Sequence, residues 1–203
     1  MRLTSHPGPF NVLTSPKEHV VLNCIKDLSI QGEVFNLMNL SQTPYNKINI
    51  HIGGAYGDKK SAMKRFCDNF ILLPDYVKKR LTLENDDRNT LYSVKDLYYG
   101  IYKKIGIPIV FDFHHHKFCD GGISEKEAFN LAVSTWGNIK PVVHYSESRS
   151  IEQNDATIKE HAHSDYVYDY IDTYGTDVDV MIEAKCKELA VLKYLEKHCE
   201  KYK

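Results

Sequence analysis

Residues 108–116 read Pro-Ile-Val-Phe-Asp-Phe-His-His-His. An apolar run of strand length delivers Asp112 and then three histidines, so carboxylate and imidazole arrive together where a strand turns into its loop. Imidazole nitrogen with carboxylate oxygen is the donor set that suits Zn²⁺ or Mn²⁺. A histidine triplet is also common in solvated loops, so the weight falls on what the rest of the chain brings. His6, His51, Glu84, Asp112, His144 and Glu183 each stand at or near the C-terminal end of an expected strand. Barrels of (β/α) units carry their active-site residues at that end.

Each residue has a second reading. Asp112 and His115 are the ligands of their stretch, with His114 and His116 facing outward or supporting them. Glu84 is either a bridging carboxylate or a charge at a helix start. Asn85, Asp86 and Asp87 are turn residues, or they orient Glu84. His51 precedes Gly53-Gly54, where backbone can approach a ligand; the alternative is a satisfied core histidine. Lys59, in Gly57-Asp58-Lys59, is a phosphate partner or a plain surface lysine, since no P-loop pattern is present. His163 is preferred over His161 because Asp165 follows as an orienter. Glu183, charged within an apolar strand, needs a cation: a metal, or Lys185. The tyrosines of 166–174 stack on bases or pack beneath the loop. GxSxG, HExxH and dinucleotide fingerprints are absent.

The positioning elements follow from period and punctuation. Strands are expected at Arg2–His6, Lys47–Ile52, Leu81–Asn85, Ile109–Phe113, Pro141–Tyr145 and Val178–Ala184. Helices are expected from Ser15-Pro16 to about Leu40, at Lys59–Leu73 and at Tyr92–Ile105. A Ser124/Glu127 capping box opens another that runs to about Val133, and the last covers Lys185–Lys201. Residues 146–165 read as a long loop and Tyr166–Tyr174 as a short helix. The alternation implies an α/β parallel sheet in one domain spanning residues 1–203, with six units of a TIM (β/α)8-type barrel. A doubly wound sheet would instead gather function at one switch point.

A chain of 203 residues with 42% hydrophobic and 26% charged content suits a globular domain. The start lacks a signal-peptide pattern, no apolar run reaches membrane-spanning length, and five scattered cysteines read as reduced thiols. The expectation is an intracellular, monomeric protein with no membrane partner and no nucleotide cofactor. A net charge of −1 weighs against a non-specific DNA-coating role.

Taken together, the motifs resemble those of the UV damage endonucleases, (β/α)8 enzymes related to endonuclease IV and to sugar isomerases of the xylose isomerase type. The matching residues are His6-Pro7-Gly8, His51-Ile-Gly-Gly with Gly57-Asp58-Lys59, and Leu83-Glu-Asn-Asp-Asp87. They continue with Asp112-Phe-His-His115, His144-Tyr-Ser146, His163-Ser-Asp165 and Met181-Ile-Glu-Ala-Lys185. The resemblance implies a DNA repair hydrolase that nicks the backbone of damaged duplex DNA immediately 5′ to UV photoproducts. It implies two or three divalent ions, manganese foremost with zinc as the alternative. The implied ligands are His6, His51, Glu84, Asp112, His115, His144, His163 and Glu183, with Glu84 and Glu183 also catalytic. Pro9, Phe10, Lys59 and Tyr145 are the implied DNA or lesion contacts.

Departures accompany the resemblance. The first two βα units of the family are expected to be missing here. Pro9 stands where the family has a glutamine. A lysine that can be carboxylated in the family is Val142, so Lys140, two residues back on the same strand face, is the candidate substitute. The alternative functions are an abasic-site nuclease or sugar isomerase on the same barrel, or an impaired relative that binds damaged DNA without cutting it.

Overall fold

The structure is a computed structural model that describes residues 2–199. The first helix, α1, spans Glu18–Leu37 and buries Val21, Cys24, Leu28 and Phe35 on one face. It starts after Ser15-Pro16, where the Ser15 hydroxyl accepts from the Lys17 backbone N–H at 3.1 Å. It ends before Leu40, with Asn39 in the left-handed region at φ 57°. Strand β1 is Ile48–His51. Helix α2, Lys59–Phe70, is capped by Asp58, which accepts from the Lys60 and Ser61 amides. A separate turn, α3 at Asp75–Lys78, leads into β2 at Leu81–Glu84.

The next helix begins later than Tyr92, because Ser93 and Asp96 form a capping box. It runs as α4 (Val94–Leu97), a π-turn over Tyr98–Tyr102, and α5 (Lys103–Ile105). The π-turn contains Gly100, whose bare Cα lies against Met63: a Cβ there would come within 2.1 Å of the sulfur. Strand β3 is Ile109–Asp112, and α6, Phe113–His116, is a single turn capped by Asp112. Helix α7, Glu125–Val133, carries the expected Ser124/Glu127 box. Then come β4 (Val142–Tyr145), the short α8 (Arg149–Glu152) inside the expected loop, β5 (Asp179–Ile182) and α9 (Glu188–His198).

All the strand pairs are parallel and run in chain order, β1-β2-β3-β4-β5. This is the expected α/β barrel-type arrangement, and β1 and β5 do not pair among the described residues. Two expectations are corrected. Arg2–His6 is not a full strand: it makes one parallel bridge, with Ser5 donating to Lys47 O at 2.9 Å and accepting from Asn49 at 2.8 Å. Pro7 and Pro9 follow, and neither can extend a ladder. Tyr166–Tyr174 is not helical; its chain is irregular, with the Tyr168 and Asp169 amides donating to the Glu147 carboxylate. The expected end of the last helix, Lys201, lies outside the described residues.

The strands' period of two decides what faces where. Ile48, Ile50, Leu81, Leu83, Ile109, Phe111, Val143 and Tyr145 point outward and join the helices in the main core. The intervening residues face the barrel interior. There Val110 and Val142 form a small apolar layer with Trp136, while Glu84, Asp112 and His144 stand at the other end of their strands.

Candidate metal centre

Glu84 is the hub. It ends β2 and is 0% exposed, yet four histidines reach its carboxylate. His6 Nε2 lies 3.1 Å from Oε2 and His144 Nδ1 3.0 Å from the same oxygen; His115 Nδ1 is 3.3 Å and His51 Nε2 3.9 Å from Oε1. Asn49, inward on β1, also donates to Oε2 and is itself held by the Thr82 hydroxyl at 2.8 Å. The His144 Nδ1 atom lies 3.0 Å from Glu183 Oε1 as well. Glu183 follows β5 because its amide donates to Tyr145 O at 2.9 Å, which continues the β4–β5 ladder by one step.

Local structure fixes the remaining donors. Asp112 Oδ1 accepts from the His115 amide at 2.7 Å, so the carboxylate that starts α6 also folds His115 back over the sheet. The Asn85 side chain splices β2 to β3, accepting from Asp112 N at 2.9 Å and donating to Asp112 O at 3.1 Å. The His115 Nδ1–H donates to Asn85 O at 2.9 Å, which leaves Nε2 free to bind. His51 Nδ1 faces Asp86 at 3.2 Å. The loop after β4 is held by the antiparallel Ser148–His163 bridge, and it brings His163 Nδ1 to 3.7 Å from Glu183.

This donor set fits divalent cations. Glu84 Oε1, Asp112 Oδ2 and His144 Nδ1 are buried without a properly angled hydrogen bond, which is costly unless a cation faces them. Three overlapping groups have ligand atoms within 4.8 Å of one another: His6/His51/Glu84, Glu84/Asp112/His115 and Asp112/His144/Glu183.

Charge follows from the same crowding. Burial pulls the His115 imidazolium down, but Asp112 and Glu84 outweigh it and raise the group to about 10. Burial likewise opposes His144, which Glu84 and Glu183 raise to about 9. Burial pushes Glu84 up, yet His144, His51 and His115 hold it well below the usual carboxylate range. Asp112 is raised, by burial above all. Without a cation His115 and His144 thus carry protons for the carboxylates; a bound cation takes the place of those protons.

A family model described as UV-endonuclease UvdE matches residues 1–203. The chain belongs to the UvdE family. It is 38% identical over 205 residues to a UV DNA damage endonuclease of Bacillus pumilus (strain SAFR-032), covering 97% of this chain and 61% of that protein. A UV DNA damage endonuclease of Bacillus velezensis is 37% identical over 213 residues, again at 97% and 61%. The chain therefore spans about three-fifths of the length of these relatives. Among solved structures, SacUVDE superposes with a TM-score of 0.80 at 32% identity, over 97% of this chain and 66% of that one. A D-psicose 3-epimerase from Clostridium cellulolyticum H10 superposes at 0.54 with 14% identity, over 71% of this chain and 51% of that one; this likeness concerns the fold alone.

Of the eight ligands that the UvdE resemblance implies, seven fall within the three groups, and His163 borders the third through Glu183. His114 and His116 are buried beside the centre, His114 edge-on to Phe118 and His163, and His116 against Phe111. Pro9 lines a cleft of about 590 Å³ beside His6, His51 and His115, and Phe10 is 87% exposed. Lys59 is engaged, with Nζ 3.2 Å from Asp96.

Two placements are corrected. Tyr145 alternates with His144, so it points outward, buried against Phe113. Lys140 precedes β4 at the far end of the strand, where Asp177 and Asp179 hold its Nζ at 2.7 and 3.3 Å. The lysine that does reach the centre is Lys47, whose Nζ lies 3.3 Å from His144 Nε2. Its signal was legible: in Lys-Ile-Asn-Ile-His-Ile, Lys47 shares the strand face of Asn49 and His51.

Proposed function

We propose that this chain carries the metal centre of an endonuclease that nicks damaged DNA immediately 5′ to UV photoproducts. The observation that carries this reading is Glu84: a buried carboxylate touched by four histidines and linked through them to Asp112 and Glu183. The names of the UvdE relatives, UV DNA damage endonucleases, supply the substrate, damaged DNA. His6, His51, Glu84, Asp112, His115, His144, His163 and Glu183 hold two or three divalent ions, manganese foremost, with zinc as the alternative. When bound, such a cluster lowers the pKa of a water, polarises the phosphodiester and neutralises the leaving oxygen. Glu84 is shared by two of the donor groups and Glu183 stands beside His144 in the third, while Asn85 and Asp86 hold His115 and His51 in their binding orientations. Phe10 offers an exposed aromatic face beside the cleft for stacking on a base. The protein acts as a monomer in the compartment that holds the DNA.

The test is a nicking assay with Mn²⁺ on irradiated, abasic and untreated supercoiled plasmid, run beside a sugar-isomerisation assay. The expected result is selective relaxation of the irradiated plasmid and no isomerisation. Folded, metal-loaded protein that leaves irradiated plasmid intact overturns the reading.

A further inference from the structure

Lys47 is a buried lysine at the centre that the ligand set does not use. It enters at the start of β1 and is 1% exposed. It makes no ion pair with a carboxylate among the described residues; the polar contact of its amine is His144 Nε2, at 3.3 Å. Buried lysines are rare unless something compensates them.

We propose that Lys47 is a positioning residue of the metal centre, fixing the His144 ring from behind so that Nδ1 is aimed at the cation held with Asp112 and Glu183. This rests on the metal reading above. The geometry is that of a clamp. An imidazole ring turns about its Cβ–Cγ bond unless both nitrogens are held. Nδ1 of His144 lies 3.0 Å from Glu84 and 3.0 Å from Glu183, on the donor side, and Lys47 lies on the other. With Nδ1 turned to a cation, the neutral imidazole carries its proton on Nε2, and Lys47 holds that N–H as a neutral amine whose lone pair accepts; the ammonium has no lone pair and can donate only to a bare Nε2. A metal-ligating histidine is ordinarily fixed through its second nitrogen by a carboxylate, carbonyl or water. Here the partner is an amine delivered from β1, while His144 stands on β4.

Lys140 cannot serve, since Asp177 and Asp179 hold it at the opposite end of β4. Val142, the inward residue nearest His144 on its own strand, is part of the apolar layer with Val110 and Trp136. Burial pulls the Lys47 ammonium down to about 8 despite Glu84 and Glu183, which agrees with a chain running through the closed interior.

The experiment measures Mn²⁺ and Co²⁺ binding to wild type, Lys47→Met and Lys47→Gln, by calorimetry and metal analysis. The Co²⁺ absorption spectrum reports the ligand geometry. Expected for Lys47→Met is a loss of roughly 10–100-fold in affinity for one ion of the cluster and an altered Co²⁺ spectrum. The melting temperature should stay the same or rise, because a thioether replaces a buried cation. Lys47→Gln, which keeps a polar end, should lie between the two and takes over the test should Lys47→Met not fold. A merely structural lysine would lower the melting temperature without a loss confined to one ion. Unchanged stoichiometry, affinity and spectrum in a folded variant overturn the proposal. Wild type that takes up no divalent ion overturns the metal reading itself, which distinguishes the two failures.

Discussion

Leu83 and Glu84 are neighbours on β2, both 0% exposed, and they belong to two different regions of the molecule. Leu83 faces outward into the apolar layer between sheet and helices, where every contact favours the folded state. Glu84 faces inward among four histidines, with Oε1 lacking a well-formed hydrogen bond. The two faces of one strand thus do opposite things: the outer face stabilises the fold, and the inner face costs stability to keep donor atoms bare. Rigidity from the first is what holds the second in place.

The largest effect should come from the inner face. Glu84→Gln removes the shared carboxylate, so nicking of irradiated DNA should fall by roughly 100-fold or more while circular dichroism stays native. Activity near wild type would remove Glu84 from its role as hub. Leu83→Ala should show the reverse pattern: a loss of about 2–5 kcal/mol in urea unfolding, with metal stoichiometry retained below the transition. A variant that keeps its stability but loses ions would break the division between the faces.

A smaller effect concerns pH. In chelator-treated protein, His115 and His144 are raised from 6.5 to about 10 and about 9, so their stabilising contribution is complete below pH 6.5 and is lost as pH rises through those values. Lys47, lowered from 10.5 to about 8, acts in the opposite direction above pH 8. The unfolding free energy should therefore fall most clearly between pH 6.5 and 8, by at most about 1.4 kcal/mol per histidine per pH unit, and the melting temperature with it. Manganese should flatten the profile, since it displaces those protons. A metal-free protein whose stability climbs across that window would contradict the charge arrangement. The smallest effect is expected for Lys140→Ala, whose partly exposed ion pairs are worth roughly 1 kcal/mol or less. Its nicking rate should match wild type.

Much of the fold was legible in the residues. The Ser124/Glu127 box, the Gly106 stop at φ 72° and strands that end within one residue of the expected Ile52, Asn85 and Phe113 follow from local rules that tertiary packing does not override. The inward ring was legible for the same reason: alternation with Ile, Leu and Val assigns each polar residue to one face. Arg2–His6 and Tyr166–Tyr174 were not, because their course depends on distant partners. The first bridges to β1 at a single residue, and the second is tied to the Glu147 carboxylate.

By itself, then, the sequence determined the parallel α/β order, the helix caps and which residue types stand at the strand ends. Only the tertiary structure decided which of them meet. Strand register places Glu84 among four histidines, turns Tyr145 into the core, and leaves Lys140 with two aspartates. It also carries Lys47 across the interior to His144, 97 residues away in the chain. The physical reason is that local rules fix the face on which a side chain stands, whereas convergence depends on the relative placement of different strands, which no single segment encodes.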